Sequence, residues 1–369
     1  MRDPRHWRSL PPMDWSGLSS SSFEQLQVLR DESAGVTAFL AIHDTRLGPA
    51  FGGIRRWSYR RAEEGLADAL RLAEAMTLKC AAAGIPAGGG KVVIVEGPDT
   101  DREAAYRLVG RHVEEMGGRY YTGPDVGTER ADLEVVARHT DFVARPDRVG
   151  DLAEPTAVGV FAGIRAIAQR LGHPQLRGLR VLVQGVGGVG SRLCGKLVEA
   201  GAEVTITDVR REAVDEVAAR FKVAVLDPGQ MFGVETDVWA PCALGGVVHD
   251  VSIQQMRIRA IAGSANNVLA SPEHGRTLFE RGVLYAPDFL INAGALVHGA
   301  LFHLEGQAPP GARIERIGET VGAVLDAARL AGEPPEVIAT RMARERLDAV
   351  DHVPWLPRAR ARSGEERVP

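Results

Sequence analysis

The stretch RVLVQGVGGVGSRLCGKLVEAGAEVTITD, Arg180 to Asp208, decides the fold. It opens on an apolar run, Val181 to Gln184, which reads as a buried strand. A glycine-rich turn follows, then SRLCGKLVEAG in helical spacing, then a second β-branched run, EVTITD. Strand, turn, helix and strand in that order form a crossover unit of a parallel sheet. The turn spells G-x-G-x-x-G through Gly185, Gly187 and Gly190. Gly185 allows the tight turn, Gly187 lets a pyrophosphate approach the backbone, and Gly190 lets helix and strand pack closely. Gly188 and Val189 open the helix, whose free N–H groups face the phosphates. Asp208, with Val209 beside it, ends the next strand about 20 residues on, where a carboxylate accepts hydrogen bonds from ribose hydroxyls. It also repels a 2′-phosphate, so the expected cofactor is NAD rather than NADP. Arg210 and Arg211 follow closely and weaken that preference.

The same rhythm extends in both directions. VGVFAGIRAIAQRL precedes the motif as a helix, and AVL, DVWAP, AIAG and VLYAP follow as short strands. This predicts a Rossmann-type doubly wound sheet from near Thr156. Upstream, VTAFLAIHD and KVVIVEG read as strands, and EEGLADALRLAEAMTLKCAAA and REAAYRLVGRHVEEMG as helices, so a separate α/β block comes first. Downstream of Pro309 the chain reads as helix through IGETVGAVLDAARLAG and PEVIATRMARERLDAV. The expected division is a flexible arm over 1–22, a first α/β domain over 23–150, an NAD-binding domain over 151–305, and C-terminal helices with a frayed tail over 306–369. All of this makes an α/β protein of two domains.

Bulk properties narrow the function. The 369 residues carry a formal net charge of -4 and 45% hydrophobic residues. No basic face for nucleic acid is indicated, and nothing recruits the chain to an anionic membrane. No apolar run approaches the ~20 residues of a membrane span. The N-terminus lacks an apolar signal core. Cys80, Cys194 and Cys242 lie far apart, in neither disulfide nor metal spacing. A cytoplasmic protein without a metal site is expected.

One further stretch is unusual: MTLKCAAAGIPAGGGK, Met76 to Lys91, sets Lys79 and Lys91 around nearly bare apolar backbone. A desolvated lysine loses pKa, and a second ammonium nearby pushes the same way. A lysine poised near neutrality acts as a general base, which one near 10.4 does not. Gly88-Gly89-Gly90 before Lys91 removes side chains that would crowd a substrate. The competing reading is two solvated lysines at element ends.

Taken together, HDTRLGPAFGGIR, MTLKCAAAG, GGGK, YTGPDVGT, TAVGV, QGVGGVG, APCALGG, AGSANN and YAPDFLINAG resemble the amino-acid dehydrogenases of the glutamate/leucine/phenylalanine/valine family, in its leucine and phenylalanine branch. The resemblance runs from about Val36 to near Val350. It implies that the first domain binds substrate. Lys79, helped by backbone N–H groups near Gly52 and Gly53, would pair with the substrate carboxylate. Lys91 would be the catalytic base, and Asp125 would move protons to and from the amino group while raising the Lys91 pKa against desolvation. Asn266 and Asn292 would orient nicotinamide and substrate. Thr156 would lie near the carboxamide, and Ala265 with the Pro241-Cys242-Ala243 turn would line the cofactor. The family assembles into oligomers, so a homo-oligomer is expected.

The resemblance also implies a side-chain pocket walled by Phe51, Met76, Gly123, Leu296 and Gly299. Glutamate-type relatives carry a lysine at the position of Phe51, so an apolar substrate of the phenylalanine, leucine or valine type is implied. Gly123 and Gly299 leave room that Phe51 fills in part. INAGAL departs from the usual INAGG, with Ala295 in a glycine position and His298 nearby as a packing residue. Three other readings stand beside this one: a dehydrogenase for another aromatic amino acid such as tryptophan, a folate-linked or malate-oxidising dehydrogenase, and an NAD-binding sensor without activity. Lys79, Lys91 and Asp125 speak against the last two.

Overall fold

The protein is described by a computed structural model covering residues 23–356. The expected arm over 1–22 and the end of the expected tail lie outside the described residues.

The first half is built on a mixed sheet. Its strands are β1 (Gln25–Asp31), β2 (Val36–Asp44), β3 (Ala50–Phe51), β4 (Ile54–Trp57), β5 (Gly88–Val95) and β6 (Tyr120–Tyr121), in the order β1-β2-β5-β3-β6, with β4 also on β5. β1 and β2 run antiparallel to their neighbours, whereas β3, β4 and β6 join in parallel. Helix α1 (Ala62–Ala82) covers one face, and α2 (Arg102–Glu115) with α3 (Arg130–Ala137) covers the other. Alternation along β5 sends Gly89, Lys91 and Val93 toward α1 and Gly90, Val92 and Ile94 the other way.

The strand pattern at VTAFLAIHD holds to the residue, and α1 matches its periodic stretch within one. The glycines before Lys91 belong to β5. A Cβ at Gly88 would stand 2.0 Å from the Asp44 carbonyl oxygen, one at Gly89 2.1 Å from the Thr77 nitrogen, and one at Gly90 2.9 Å from the Tyr120 ring. The expectation that this run clears space for a substrate is therefore corrected: its glycines let β2, α1 and β6 close onto β5.

The second half carries six parallel strands: β7 (Arg180–Gln184), β8 (Glu203–Thr207), β9 (Ala224–Val225), β10 (Thr236–Pro241), β11 (Ile258–Ile261) and β12 (Leu284–Tyr285). Their order, β12-β11-β10-β7-β8-β9, is the doubly wound arrangement with its switch point between β7 and β10. The intervening helices are α4 (Pro146–Val149), α5 (Ala153–Arg170), α6 (Gly188–Glu199), α7 (Arg211–Phe221), α8 (Asp250–Gln255), α9 (Pro272–Glu280), α10 (Asp288–Ile291) and α11 (Gly294–Glu305). α12 (Gly311–Ala331) lies along α5, and α13 (Pro335–Asp348) crosses back to α1. Phe51, Cys80 and Ile85 of the first half join the core under the second sheet. The two halves thus share core at their junction. No helix among the described residues is long and apolar enough to cross a membrane.

Candidate active site

Lys91 is 5% exposed, and its Nζ lies 2.6 Å from Asp125 Oδ2. Three features bring them together. β5 fixes Lys91 opposite Ala41. The turn after β6 fixes Asp125, with the Ile54–Pro124 bridge pinning it. Gly53 then allows the close approach, because a Cβ there would meet the Pro124 carbonyl oxygen at 2.4 Å. Burial pushes the Lys91 pKa below the ordinary lysine range, and Asp125 pulls against it. Burial likewise works against the charge of Asp125, but Lys91 and Arg55 outweigh it and hold its pKa below the usual carboxylate value.

The pair does not stand alone. Arg55 Nε donates to Asp125 Oδ2 at 3.1 Å, and its Nη1 to Asp68 Oδ2 at 2.9 Å. Asp68 in turn accepts from the Tyr59 hydroxyl at 2.7 Å and from Arg71 at 2.6 Å. This row of alternating charge runs from the buried amine to a concavity of about 560 Å³ on the outer surface, lined by Trp57, Tyr59 and Arg71. Sequence reasoning missed Arg55 and Asp68. Arg55 stands in GGIRRW, and its signal was a cation two residues after a pair of glycines.

Lys79 sits in the last turn of α1 and reaches across to the second half. Its Nζ donates to Asn292 Oδ1 at 2.6 Å. Asn292, buried at the end of α10, donates through Nδ2 to Asn266 Oδ1 at 2.7 Å and to the Ser264 carbonyl at 3.3 Å. Burial pushes the Lys79 pKa down to about 8, against the pull of Asp288. Asp288, also unnoticed in YAPDFLINAG, is half-buried and accepts from the Val268 and Phe289 amides. Of the two amide groups expected near the substrate carboxylate, that of Gly52 is spent within the sheet, donating to the Tyr121 carbonyl at 3.1 Å. Gly53 remains the candidate.

At the switch point the three glycines of the turn differ. Gly185 has φ +94°, and a Cβ there would crowd Ala243 at 2.8 Å. A Cβ at Gly190 would stand 1.9 Å from the Gly185 carbonyl oxygen, so helix and strand touch there. At Gly187 a Cβ would meet only Arg210, at 3.6 Å. A cradle closed at its ends and open at its middle fits a pyrophosphate approaching the backbone. Gly188 and Val189 occupy the first turn of α6. Asp208 accepts from the amides of Val186 and Arg210, both at 2.9 Å, and the Arg210 guanidinium lies 3.5 Å away. Arg211 instead pairs outward with Asp215. Val209 is 88% exposed at the mouth. Pro241 lies level with Gln184, so Cys242 and Ala243 stand against the glycine turn. Ala265 is buried, and its amide donates to the Pro241 carbonyl. Thr156 is buried on α5, its hydroxyl donating to the Leu152 carbonyl at 2.9 Å. The residues present suit a dinucleotide.

Models of this family match on both halves. "Glu/Leu/Phe/Val dehydrogenase, dimerisation domain" matches residues 23–142, and "Glutamate/Leucine/Phenylalanine/Valine dehydrogenase" matches 204–304. A leucine dehydrogenase of Geobacillus stearothermophilus is 42% identical, over 90% of this chain and 93% of that one. The chain belongs to the Glu/Leu/Phe/Val dehydrogenase family. It is an amino-acid dehydrogenase of the leucine/phenylalanine/valine branch, an oxidoreductase acting on CH–NH2 groups. The family's cofactor is NAD or NADP. A phenylalanine dehydrogenase of Bacillus thermotolerans is 39% identical, over 89% of each chain. Among solved structures, the tryptophan dehydrogenase of Nostoc punctiforme superimposes with a TM-score of 0.81 at 35% identity, covering 91% of this chain and 98% of that one.

The side-chain pocket implied by the family places Phe51 against Tyr121, with ring centroids 4.8 Å apart and planes 6° apart. Gly123 is buried, and a Cβ there would meet only Ala144, at 3.3 Å. At Gly299 a Cβ would meet nothing within 4 Å, so that side stays open. Leu296 and Met76 are half-buried. His298 donates to or accepts from no catalytic group; its Nε2 bonds the Val149 carbonyl at 2.8 Å, as a packing residue does.

Proposed function

We propose that this protein catalyses reversible, NAD-dependent oxidative deamination of an apolar L-amino acid to its 2-oxo acid and ammonia. The observation that carries the reading is the buried Lys91–Asp125 pair, 2.6 Å apart, close to the Lys79–Asn292–Asn266 chain that spans the two halves. Lys79 receives the substrate carboxylate, exchanging Asn292 for it, and the Gly53 backbone lies alongside. Asn292 and Asn266 are then free to orient the amino group and the carboxamide. The dinucleotide is held by Gly185, Gly187, Gly188, Val189 and Gly190 at the phosphates, by Asp208 and Val209 at the ribose, and by Thr156, Pro241, Cys242, Ala243 and Ala265 along its length. When bound it supplies the hydride acceptor for the substrate Cα.

What the chain itself does is manage protons. Neutral Lys91 takes a proton from the water that adds to the imine carbon of the substrate, forming the carbinolamine. Asp125, held as a carboxylate, first takes a proton from the substrate ammonium and returns it to the nitrogen of the carbinolamine; the hydroxyl proton passes to the freed carboxylate as ammonia leaves and the 2-oxo acid forms. The desolvated site makes Lys91 a usable base, and Asp125 keeps it from losing basicity altogether. Closure of the two halves around bound substrate would keep bulk water from the hydride step.

Asp208 favours NAD over NADP, since its carboxylate would face a 2′-phosphate. Phe51 leaves no partner for an acidic side chain. The match to a dimerisation domain supports a homo-oligomer. Three unpaired cysteines suit a reducing, cytoplasmic setting.

The test is NADH formation with leucine, valine, phenylalanine, tryptophan and glutamate side by side. Turnover of an apolar amino acid and none of glutamate is expected. Lys91→Ala and Asp125→Ala each lower kcat by about a hundred- to ten-thousand-fold, as for loss of a general acid or base, with NAD affinity unchanged. Either variant keeping near-normal turnover would refute the assignment.

A further inference from the structure

On α11, Leu296, Gly299 and His303 fall at i, i+3 and i+7, so they share one face of the helix. That face meets the first half of the molecule. The His303 ring lies 5.0 Å from Tyr121 and 6.4 Å from Phe51, centroid to centroid, and Phe302 stands edge-on beside it at 5.5 Å. Tyr121 also meets Phe142 edge-on at 5.3 Å. His303 thus ends a stack of aromatic rings next to the Phe51 wall. Its Nε2 is sealed from solvent and has no hydrogen-bond partner among the described residues. A buried polar atom left in that state is costly, and the cost is recovered when something pairs with it. No protein group at hand does so, and the vacant side of Gly299, one turn away on the same face, leaves room for a visitor.

We infer that His303 is a specificity-determining residue whose Nε2 pairs with a polar atom on the ring of an aromatic substrate, an indole N–H or a phenol O–H. This rests on the dehydrogenase reading above and adds to it the class of side chain accepted. Burial, with Arg148 adding to it, pushes the His303 pKa down to about 4, so the imidazole is uncharged in the working range and carries one donor and one acceptor nitrogen. A flat stack such as Phe51–Tyr121 offers faces to a ring more readily than to a branched aliphatic chain. An aliphatic or plain phenyl side chain fills the same volume but leaves Nε2 unpaired, and sites built to bond a substrate N–H or O–H reject analogues lacking it.

The test compares kcat/KM for L-tryptophan, L-tyrosine, L-phenylalanine and L-leucine in the wild-type enzyme, in His303→Leu and in His303→Gln. The wild type should prefer tryptophan or tyrosine to phenylalanine. His303→Leu should lose on the order of tenfold on the preferred ring-polar substrate while holding or gaining on phenylalanine and leucine, and His303→Gln should restore part of the loss. Retained leucine turnover shows that the variant is folded. A larger loss on tryptophan assigns the partner as an indole N–H, and a larger loss on tyrosine assigns a phenol. An equal change on all four substrates, an unchanged tryptophan-to-phenylalanine ratio, or a wild type that turns over only leucine and phenylalanine overturns the inference and leaves the dehydrogenase reading intact. No turnover of any of the four overturns both.

Discussion

The two glycine-rich stretches of this chain look alike on paper and behave in opposite ways. In GGGK every added methyl group would strike the protein itself: Asp44, Thr77 or Tyr120. In GVGGVG the outer glycines are hemmed in by backbone, while a Cβ at Gly187 would meet only the end of the Arg210 side chain, at 3.6 Å. One run is glycine because strands and a helix must touch there. The other is glycine at its centre because something outside the chain must come close. The charges follow the same division. Around Lys91 they are locked by side chains, through Asp125, Arg55, Asp68 and Tyr59. Around the nucleotide turn they are held mainly by backbone, as the Val186 and Arg210 amides hold Asp208. The Lys91 side is fixed by side-chain ion pairs, whereas the glycine turn is shaped by backbone.

The strongest break in this contrast is Gly89→Ala. Its methyl group would meet the Thr77 nitrogen at 2.1 Å and the Ala73 carbonyl oxygen at 2.5 Å, both backbone atoms of α1. Helix and sheet must separate, at a cost of about 3 kcal/mol or more in unfolding free energy, read as a lower denaturant midpoint. Gly187→Ala is the counterpart. Stability should stay within about 0.5 kcal/mol, since φ is -73° and the added methyl group would meet only the end of the Arg210 side chain, at 3.6 Å. NAD affinity, by titration of NADH fluorescence, should fall about tenfold or more. Equal losses of stability in the two variants would dissolve the distinction.

Arg55→Met probes the locked side with a subtler effect. Arg55 contributes to keeping the Lys91 pKa low, behind burial and against Asp125. Without that cation the Lys91 pKa rises, less of the amine is neutral at a given pH, and the ascending limb of the deamination rate moves to higher pH. Asp125→Asn removes the opposing charge and moves that limb to lower pH, beneath a much reduced rate. The smallest expected change is in Asp208→Ser, which should narrow the preference for NAD over NADP while Arg210 remains to meet the extra phosphate. It is measured as the ratio of the two kcat/KM values.

Much of this was legible from residues alone, for identifiable reasons. β7, β8 and α6 are local: a β-branched run, a glycine turn and an amphipathic helix contain their own instructions. Lys79 and Lys91 stood out because charge beside bare apolar backbone is unusual, whereas Asp125 came only with the family resemblance. β3 and β6 were not, since two-residue strands carry no periodicity and exist only through pairing with distant β5 and with each other. Gly88 to Gly90 were misjudged because a glycine says that space is needed without saying for what. Arg55 and His303 escaped because each acquires its meaning from a neighbour far along the chain: Asp125 in one case, Phe51 and Tyr121 in the other.

The hydrogen bond from Lys79 to Asn292 joins the two halves across their seam. On the proposed reading, a carboxylate arriving at Lys79 would evict an amide that already ties the halves together, so part of its attraction would be forfeited on entry. The same amide would return when the product departs and help to dislodge it. Such a bolt would sacrifice tenacity for throughput: each passenger would be gripped less firmly and let go sooner.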